Sequence, residues 1–289
     1  MGKKKDNWPQ LCELVEQDDG LPTRDSGSWA QSKLYIWNRY IDITTSAMVG
    51  HARWPAGLVY VDVDLFAGPG VCQIRKTKER IPGSPIIAAH APKSFCKILL
   101  CELDKKNAKA CESRLKASPA KDAFQMFVGD CNEQVSTIVK EIPRGALTLA
   151  FVDPTGLHAE IDTIKKLASA GQVDLLILFP DAVDVLRNVD IYLPKLDSNL
   201  DKVLGKDSNW RALWESAGRV DASKSRRLFA QEYQRQLKKH AGYVAFGEKV
   251  ISGPQGPLYR LVFASKHPKG LEFWDKVTLK EVGGQKRFL

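Results

Sequence analysis

The chain has 289 residues, 44% of them apolar and 27% charged, a composition typical of folded globular proteins that excludes intrinsic disorder and collagen-like repeats. Its 43 lysines and arginines outnumber 34 acidic residues, and the resulting net charge of +9 favours a polyanionic partner, with nucleic acid as the first candidate. No apolar stretch approaches the ~18 residues of a membrane helix, so no membrane association is predicted.

Residues 1–57 are predicted to form a helical extension that packs on the edge of the main domain. The start of the chain is basic but has no apolar segment after it, so it does not resemble a secretory signal, and a cytoplasmic protein is expected. The six cysteines form no C-x-x-C pair and are interpreted as reduced, small apolar residues. One helix is evident here, from the spacing of Trp29, Lys33, Leu34, Trp37, Tyr40 and Ile41.

From residue 58 onward, apolar β runs alternate with helix-length amphipathic runs, which is typical of a parallel sheet with crossover helices. The predicted strands are Leu58–Phe66, Phe95–Glu102, Phe124–Asp130, Leu147–Asp153 and Val173–Pro180. The predicted helices are Ser84–His90, with Ser84 as its N-cap, Lys105–Lys116, Asn132–Glu141 and Glu160–Ala170. We therefore predict a doubly wound, Rossmann-like α/β domain over residues 58–289.

After residue 180 the pattern becomes helical, and about 181–241 are predicted to be an insertion. Within it, Ser223–His240 is amphipathic, and its basic face either is solvated or binds phosphate. The β runs Tyr243–Ile251 and Leu258–Ser265 are joined by a turn-rich loop and predict a terminal antiparallel hairpin at the edge of the mostly parallel sheet.

The first strand of the domain runs into a glycine turn, Gly68-Pro69-Gly70. Glycines at the carboxyl end of such a strand let a ligand approach the backbone. The third glycine of a dinucleotide fingerprint is absent and no helix follows directly, so a nicotinamide cofactor is disfavoured. The loop after the turn is basic and is predicted to contact a substrate phosphate through Arg75, Lys76, Lys78 and Arg80.

Acidic residues end the next two strands. Glu102 is placed to accept hydrogen bonds from ribose hydroxyls, and Asp130 to meet an adenine amino group. Either residue alone is as typical of a helix cap or a turn, but the ordered set of glycine turn, Glu and Asp on successive strands indicates a nucleoside-containing ligand.

This ordered set resembles the class I S-adenosylmethionine-dependent methyltransferases, over about residues 58–180 and the terminal hairpin. The resemblance implies S-adenosylmethionine as cofactor. It also implies that the segment after the first strand brackets the methionine part, that Glu102 binds the ribose and that Cys131 joins Asp130 at the adenine. The residues so implied in the first segment are Asp64, Phe66, Gly68 and Gly70.

The fourth strand ends in Asp153-Pro154-Thr155-Gly156, which resembles the motif of methyltransferases that act on amino groups of bases. Asp153 and Pro154 are the predicted catalytic residues, because a carboxylate and a backbone carbonyl orient the amine toward the methyl group. Thr155 stands where that motif has an aromatic ring, and Phe66 or Phe179 is the candidate replacement. Asp181, after the fifth strand, either lines the acceptor pocket or caps the next helix.

Over the whole chain the sequence resembles the three-Cys-motif partner proteins. The resemblance rests on Trp29 to Tyr40, the glycine turn, Gly83-Ser84-Pro85, the Asp153 strand end and Leu258 to Ser265 with Phe273-Trp274. It implies a protein partner, a radical-S-adenosylmethionine-like protein with three cysteines. Two alternatives stay open: a non-catalytic nucleic-acid or partner-binding subunit with a vestigial cofactor site, and a Mg²⁺ nuclease using Asp64, Glu102, Asp130 and Asp153.

Overall fold

The computed structural model describes residues 6–63, 67–218 and 221–279, so the predicted cofactor-binding residues Asp64 and Phe66 lie outside the described residues. The strands are β1 (Arg24–Ser26), β2 (Leu58–Val63), β3 (Val71–Ile74), β4 (Arg80–Pro82), β5 (Lys97–Glu102), β6 (Phe124–Val128), β7 (Leu147–Val152), β8 (Gln172–Phe179), β9 (Ala245–Gly253) and β10 (Gly256–Ser265). The α-helices are α1 (Trp8–Glu16), α2 (Trp29–Met48), α3 (Ser84–Ala89), α4 (Lys105–Lys116), α5 (Cys131–Glu141), α6 (Ile161–Ala168), α7 (Arg187–Tyr192), α8 (Asn199–Leu204), α9 (Trp210–Ser216), α10 (Ala222–Ala241) and α11 (Pro268–Thr278). A π-helical segment, Asp181–Leu186, leads into α7.

The main sheet has seven strands in the order β6-β5-β2-β7-β8-β10-β9. The five neighbouring strands β6, β5, β2, β7 and β8 pair in parallel, whereas β10 runs antiparallel to both β8 and β9. The predicted Rossmann-like α/β fold with a terminal hairpin is therefore confirmed. The chain leaves β2 toward β5 on one side and returns to β7 on the other, so the sheet has a topological switch point at the carboxyl ends of β2 and β7, where open α/β sheets bind ligands.

Alternate residues of the central strands are buried on opposite faces. On β2 and β7, Tyr60 and Phe151 belong to one hydrophobic cluster, and Val61 and Ala150 belong to the other. Helices α2, α3 and α11 pack on the first face, and α5, α6 and α10 on the second. Because both faces are covered, the strands are continuous apolar runs in the sequence, and these runs allowed the strands to be predicted.

The amino-terminal helix α2 covers a face of the sheet, not its edge as predicted. Trp37 is fully buried and stacks on Phe151 of β7 with ring centroids 5.1 Å apart. Its indole N–H donates to the Tyr60 hydroxyl at 3.2 Å. The large aromatic side chains of α2, Trp37 and Tyr40, bury the most apolar surface when they lie over the centre of the sheet. The extension and the sheet therefore share one core.

Among the described residues, several predicted boundaries shift by one or two residues. Strand β6 ends at Val128, because Gly129 has a φ of 145° and turns the chain. Helix α3 has Gly83 as its N-cap; the predicted cap, Ser84, is its first helical residue and donates its hydroxyl to Asp62 instead. Helix α6 begins at Ile161, with Glu160 preceding it.

The helical insertion packs through α10, whose predicted apolar stripe is confirmed, since Phe229, Tyr233 and Leu237 are buried. Part of its basic surface is paired within the protein: Arg235 bonds Glu232 at 2.7 Å and Lys239 bonds Asp207. In the part of the chain that the structure describes, no helix is both long and apolar enough to cross a membrane.

Candidate functional site

A cavity of about 270 Å³ opens at the switch point of the sheet. The glycine turn after β2 forms one wall, and Asp153, Pro154 and Thr155 after β7 form a second. The chain before and within α2, strands β3 and β10, the start of α3 and the residues around the end of β8 contribute to the other walls. Elements far apart in sequence therefore converge on the point where the motifs predicted a site.

Backbone conformation explains the glycines of the turn. Gly68 and Gly70 have φ values of 70° and 88°, which other residues adopt only at a cost. Gly83, at the start of α3, lies against the glycine turn, and its N–H donates to the Gly70 carbonyl at 2.8 Å. A Cβ on Gly83 would lie 2.8 Å from the same oxygen, so the turn and the start of α3 are in direct backbone contact.

Gly83→Ala is expected to displace the glycine turn and lower the free energy of unfolding by about 3 kcal/mol, because the new methyl group overlaps a backbone oxygen. Urea denaturation measures the loss. Gly20→Ala is the control: Gly20 has a positive φ, but its Cβ would meet nothing within 4 Å, so about 1 kcal/mol is expected. Equal losses in the two variants would contradict the close approach.

Glu102 lies behind the glycine turn, fully buried. Its two carboxylate oxygens accept hydrogen bonds from the backbone N–H groups of Gly68 and Asp104, each at 2.8 Å. Burial raises the pKa of this carboxyl group, and the two N–H donors oppose the increase. Glu102 therefore holds the turn in place and does not itself line the cavity.

Asp130 and Cys131 also lie outside the cavity lining. Asp130 caps α5, accepting a hydrogen bond from the Asn132 N–H at 2.8 Å, and Cys131 is buried in the core. The adenine role of both residues stays a prediction.

Cys72 of β3, in contrast, lines the cavity. Burial raises the pKa of its thiol, which disfavours the nucleophilic thiolate form.

Asp153 is held by a cation that the motifs did not predict. The Lys33 ammonium of α2 bonds its Oδ2 within a buried ion pair, and the Arg24 guanidinium lies 3.7 Å from the same oxygen. The other oxygen, Oδ1, is buried and has no hydrogen-bond partner among the described residues. Asp153 lines the cavity, and one acceptor position of this predicted catalytic carboxylate is thus not filled by the described residues.

The signal for Lys33 was present in the sequence. It lies on the same side of α2 as Ala30 and Trp37, which are buried, and a lysine on a buried stripe requires an acidic partner. Which carboxylate provides that partner depends on how α2 crosses the sheet, and no local pattern specifies that.

Aromatic rings reach the cavity from α2 and β10. Tyr259 is buried, lies with its ring centroid 5.9 Å from the Lys33 ammonium, and has a hydroxyl without a partner in the described parts of the chain. Trp29 is half-buried under the Arg75 guanidinium, 5.6 Å from its ring centroid. The candidate Phe179 instead stacks on Tyr233 in the core, with centroids 4.8 Å apart, so it differs from the prediction and is not available to an acceptor.

The predicted basic loop separates into two groups. Arg75 lines the cavity, and Lys76 and Lys78 are exposed at the turn between β3 and β4. The prediction that Arg80 contacts a substrate phosphate is wrong. Arg80 is buried and binds Asp18 and Asp19 at 2.7 and 2.8 Å, because β4 packs against α1.

Asp181 is buried and forms an ion pair with Arg260 of β10 at 3.1 Å. Burial raises its pKa to about 6, and Arg260 opposes the increase. Neither of its two predicted placements is found, since it is outside the cavity lining and accepts no helix-capping hydrogen bond. Instead, Asp181 ties the terminal hairpin to the π-helical segment.

No family model matches the sequence, and no curated protein matches it. Among solved structures, the chain is similar to an O-methyltransferase from Bacillus cereus in complex with SAH, with 9% identity over 91% of this chain and 92% of that one and a TM-score of 0.47. It is similar to the O-methyltransferase TomG from Streptomyces achromogenes in complex with SAM, with 12% identity, 88% and 92% coverage and a TM-score of 0.45. It is also similar to cofactor-bound Rv0187 from MTB, with 14% identity, 90% and 88% coverage and a TM-score of 0.43. At these identities the likeness concerns the fold and not a substrate or an activity.

Proposed function

We propose that this chain is an S-adenosylmethionine-dependent methyltransferase whose acceptor is a nucleic acid, RNA in preference to DNA. The observation that carries the proposal is that the glycine turn and Asp153 face one cavity at the switch point of the sheet. A cofactor at the turn and an acceptor at Asp153 would then be neighbours, and methyl transfer depends mainly on proximity and alignment.

The residues present fit such a cofactor. The positive-φ turn at Gly68 and Gly70 lines the cavity where the methionine part would lie, and the Arg24 and Lys33 cations, which would attract its carboxylate, line the same cavity. Glu102, buried behind the turn, accepts the Gly68 N–H at 2.8 Å and so fixes the backbone on which the cofactor would lie. When bound, the cofactor supplies the methyl group.

The chain's own residues would position the acceptor. The free Oδ1 of Asp153 accepts a hydrogen bond from an amino or hydroxyl group, while Lys33 fixes the other oxygen. Tyr259 and Trp29 provide the rings that Thr155 does not, and a flat nucleobase stacks on such rings. At the mouth, Arg75 with the exposed Lys76 and Lys78 provides positive charge for a phosphate backbone.

Calorimetry with S-adenosylmethionine tests the cofactor. Gly68→Val is expected to weaken binding by about a hundredfold, because a β-branched residue opposes the positive φ, and Glu102→Gln by at least about tenfold, because one anchored oxygen becomes a donor. Asp122→Asn, which removes an exposed charge away from the cavity, is the control and should bind as the wild type does. Failure of the folded wild type to bind at millimolar cofactor would overturn the proposal.

Transfer of a labelled methyl group to total RNA and to DNA tests the acceptor. Both are assayed with and without a three-cysteine radical-S-adenosylmethionine-like protein, the proposed partner. We expect labelling of RNA above DNA, and weaker labelling in Tyr259→Leu, whose cofactor binding should be unchanged. Equal labelling of both nucleic acids, or of neither, would contradict the preference for RNA.

A non-catalytic binding subunit is the second candidate, and one observation favours it. Glu102 is sealed beneath the turn and Asp130 caps α5, so the side expected to hold adenosine is not part of the cavity. In that case nucleic acid binds tightly and in a salt-dependent way, but no methyl group is incorporated even with the partner present.

A further inference from the structure

A second cavity, of about 250 Å³, lies at the opposite end of the sheet. Leu147 and Gln172, the first residues of β7 and β8, line it, whereas the candidate site is at the carboxyl ends of these strands. The carboxyl-terminal half of α2 and the start of α11 complete its walls. This cavity shares no residue with the proposed methyl-transfer site.

Apolar atoms form most of the wall surface of the second cavity, although polar side chains, among them His51, Gln172 and His267, also line it. Phe273 and Leu147 are buried, and Trp54 and Met48 are half-buried. Apolar walls with a few polar groups are typical of small-molecule sites, and this volume is at the lower end of their range. The shape therefore suits a ligand of one or two rings.

Exposed cations stand at the mouth of the cavity, each above one of its aromatic rings. The Arg53 guanidinium is 5.2 Å from the Trp54 ring centroid, and the Lys269 ammonium is 5.5 Å from that of Phe273. Lys269 also pairs with Glu272 at 2.8 Å. Because this pair is exposed and screened by solvent, Lys269 can exchange Glu272 for an anionic ligand at little cost. The mouth is thus suited to an anionic group.

The Asp174 carboxylate and the Trp54 indole N–H, both on the walls, differ in whether they have hydrogen-bond partners within the protein. Both carboxylate oxygens of the buried Asp174 accept hydrogen bonds at 2.6 Å, from the hydroxyls of Tyr40 and Ser265, so this acid is bound to the protein. The buried indole N–H of Trp54 has no acceptor among residues 6–63, 67–218 and 221–279. Because a buried indole N–H normally has an acceptor, this donor can bond a group that enters the cavity.

We infer that this cavity binds a small planar aromatic carboxylate. Its ring system lies against Trp54 and Phe273, and its carboxylate lies at the mouth near Arg53 and Lys269. The site is separate from the proposed methyl transfer, and binding there requires neither the cofactor nor a nucleic acid.

NMR of the tryptophan indole N–H groups tests the site with 1-naphthoate as the probe. The chain has seven tryptophans, and the Trp54 signal is the one lost in Trp54→Phe. We expect a saturable shift of that signal with a Kd below ~1 mM. We expect 1-naphthalenemethanol, which has the ring without the charge, and acetate, which has the charge without the ring, to bind at least about tenfold more weakly.

Three variants locate the binding. Met48→Trp fills the cavity and should abolish the shift, and the double variant Arg53→Gln/Lys269→Gln should weaken binding about tenfold. Lys276→Gln is the matched control, since Lys276 lies on the same helix and 5.9 Å from the same Phe273 ring but does not line the cavity. The inference is overturned by no saturable Trp54 shift at millimolar 1-naphthoate, by equal binding of the neutral alcohol, or by unchanged binding in Met48→Trp.

Discussion

Replacing Lys33 by methionine is expected to lower the free energy of unfolding by about 3 kcal/mol, because the substitution leaves the Asp153 carboxylate buried without its main partner. The side chains of the pair are only 8% and 7% exposed, so solvent does not replace the lost cation. Arg24 remains 3.7 Å away and offsets part of the cost. Methionine is unbranched and keeps all but the terminal atom of the lysine side chain, so the loss reports mainly the charge. Urea denaturation at neutral pH measures it.

A double-mutant cycle separates the ion pair from general damage. If Asp153 causes the loss, Lys33→Met/Asp153→Asn should be more stable than Lys33→Met alone, because no buried charge is left unpaired. Lys97→Met is the control: Lys97 pairs with Glu141 at 3.0 Å, but both side chains are 38% exposed, so a loss below about 1 kcal/mol is expected. Additive losses at Lys33 and Asp153 would show that the two residues do not interact.

The fold could be predicted from the sequence because each strand carries its own evidence. A strand covered on both faces is apolar along its length, and Leu147–Val152 is buried at every position. The glycine turn and Asp153 were predicted to meet for a related reason: neighbouring parallel strands place their carboxyl ends at the same edge of a sheet. That rule needs no side-chain detail, only the direction of the strands.

The rest of the site could not be predicted, because it depends on how distant elements pack. Lys33 reaches Asp153 only because Trp37 lies over the sheet centre, and Tyr259 reaches the cavity only because β10 pairs with β8. The same limit explains the misplaced residues. Arg80 looked like part of an exposed basic loop, but it pairs with Asp18 and Asp19, which lie more than sixty residues earlier in the chain.

Asp62, near the carboxyl end of β2, is expected to make the protein less stable as the pH rises. It is fully buried, and its Oδ2 accepts hydrogen bonds from Ser84 at 2.7 Å and Tyr60 at 3.4 Å. Its Oδ1 has no partner among the described residues. Burial raises the pKa of Asp62 to about 8, the Ser84 hydroxyl opposes the increase, and the nearby acids Asp153 and Glu102 add to it.

The direction of the pH effect follows from the two pKa values. In the unfolded chain Asp62 ionises near the ordinary aspartate pKa of 3.8, and in the folded protein near 8, so between these values the folded state holds one more proton. Stability therefore falls with rising pH across this window, by up to about 1.4 kcal/mol per pH unit from this residue. Below the window both states are protonated, and the residue contributes nothing to the pH dependence of stability. Burial also raises the pKa of Glu102 and Asp174, which adds a slope of the same sign.

Asp62→Asn should therefore stabilise the protein at pH 8 and flatten, without abolishing, the decline between about pH 5 and pH 8. The amide keeps an acceptor for the Ser84 hydroxyl and removes the buried charge, so a gain of a few kcal/mol at the higher pH is expected. Chemical denaturation at several pH values measures both effects, with Asp122→Asn as an exposed acid whose loss should leave the slope unchanged. A variant less stable than the wild type at pH 8 would mean that the ionised carboxylate is bound in the folded protein by something stronger than one hydroxyl.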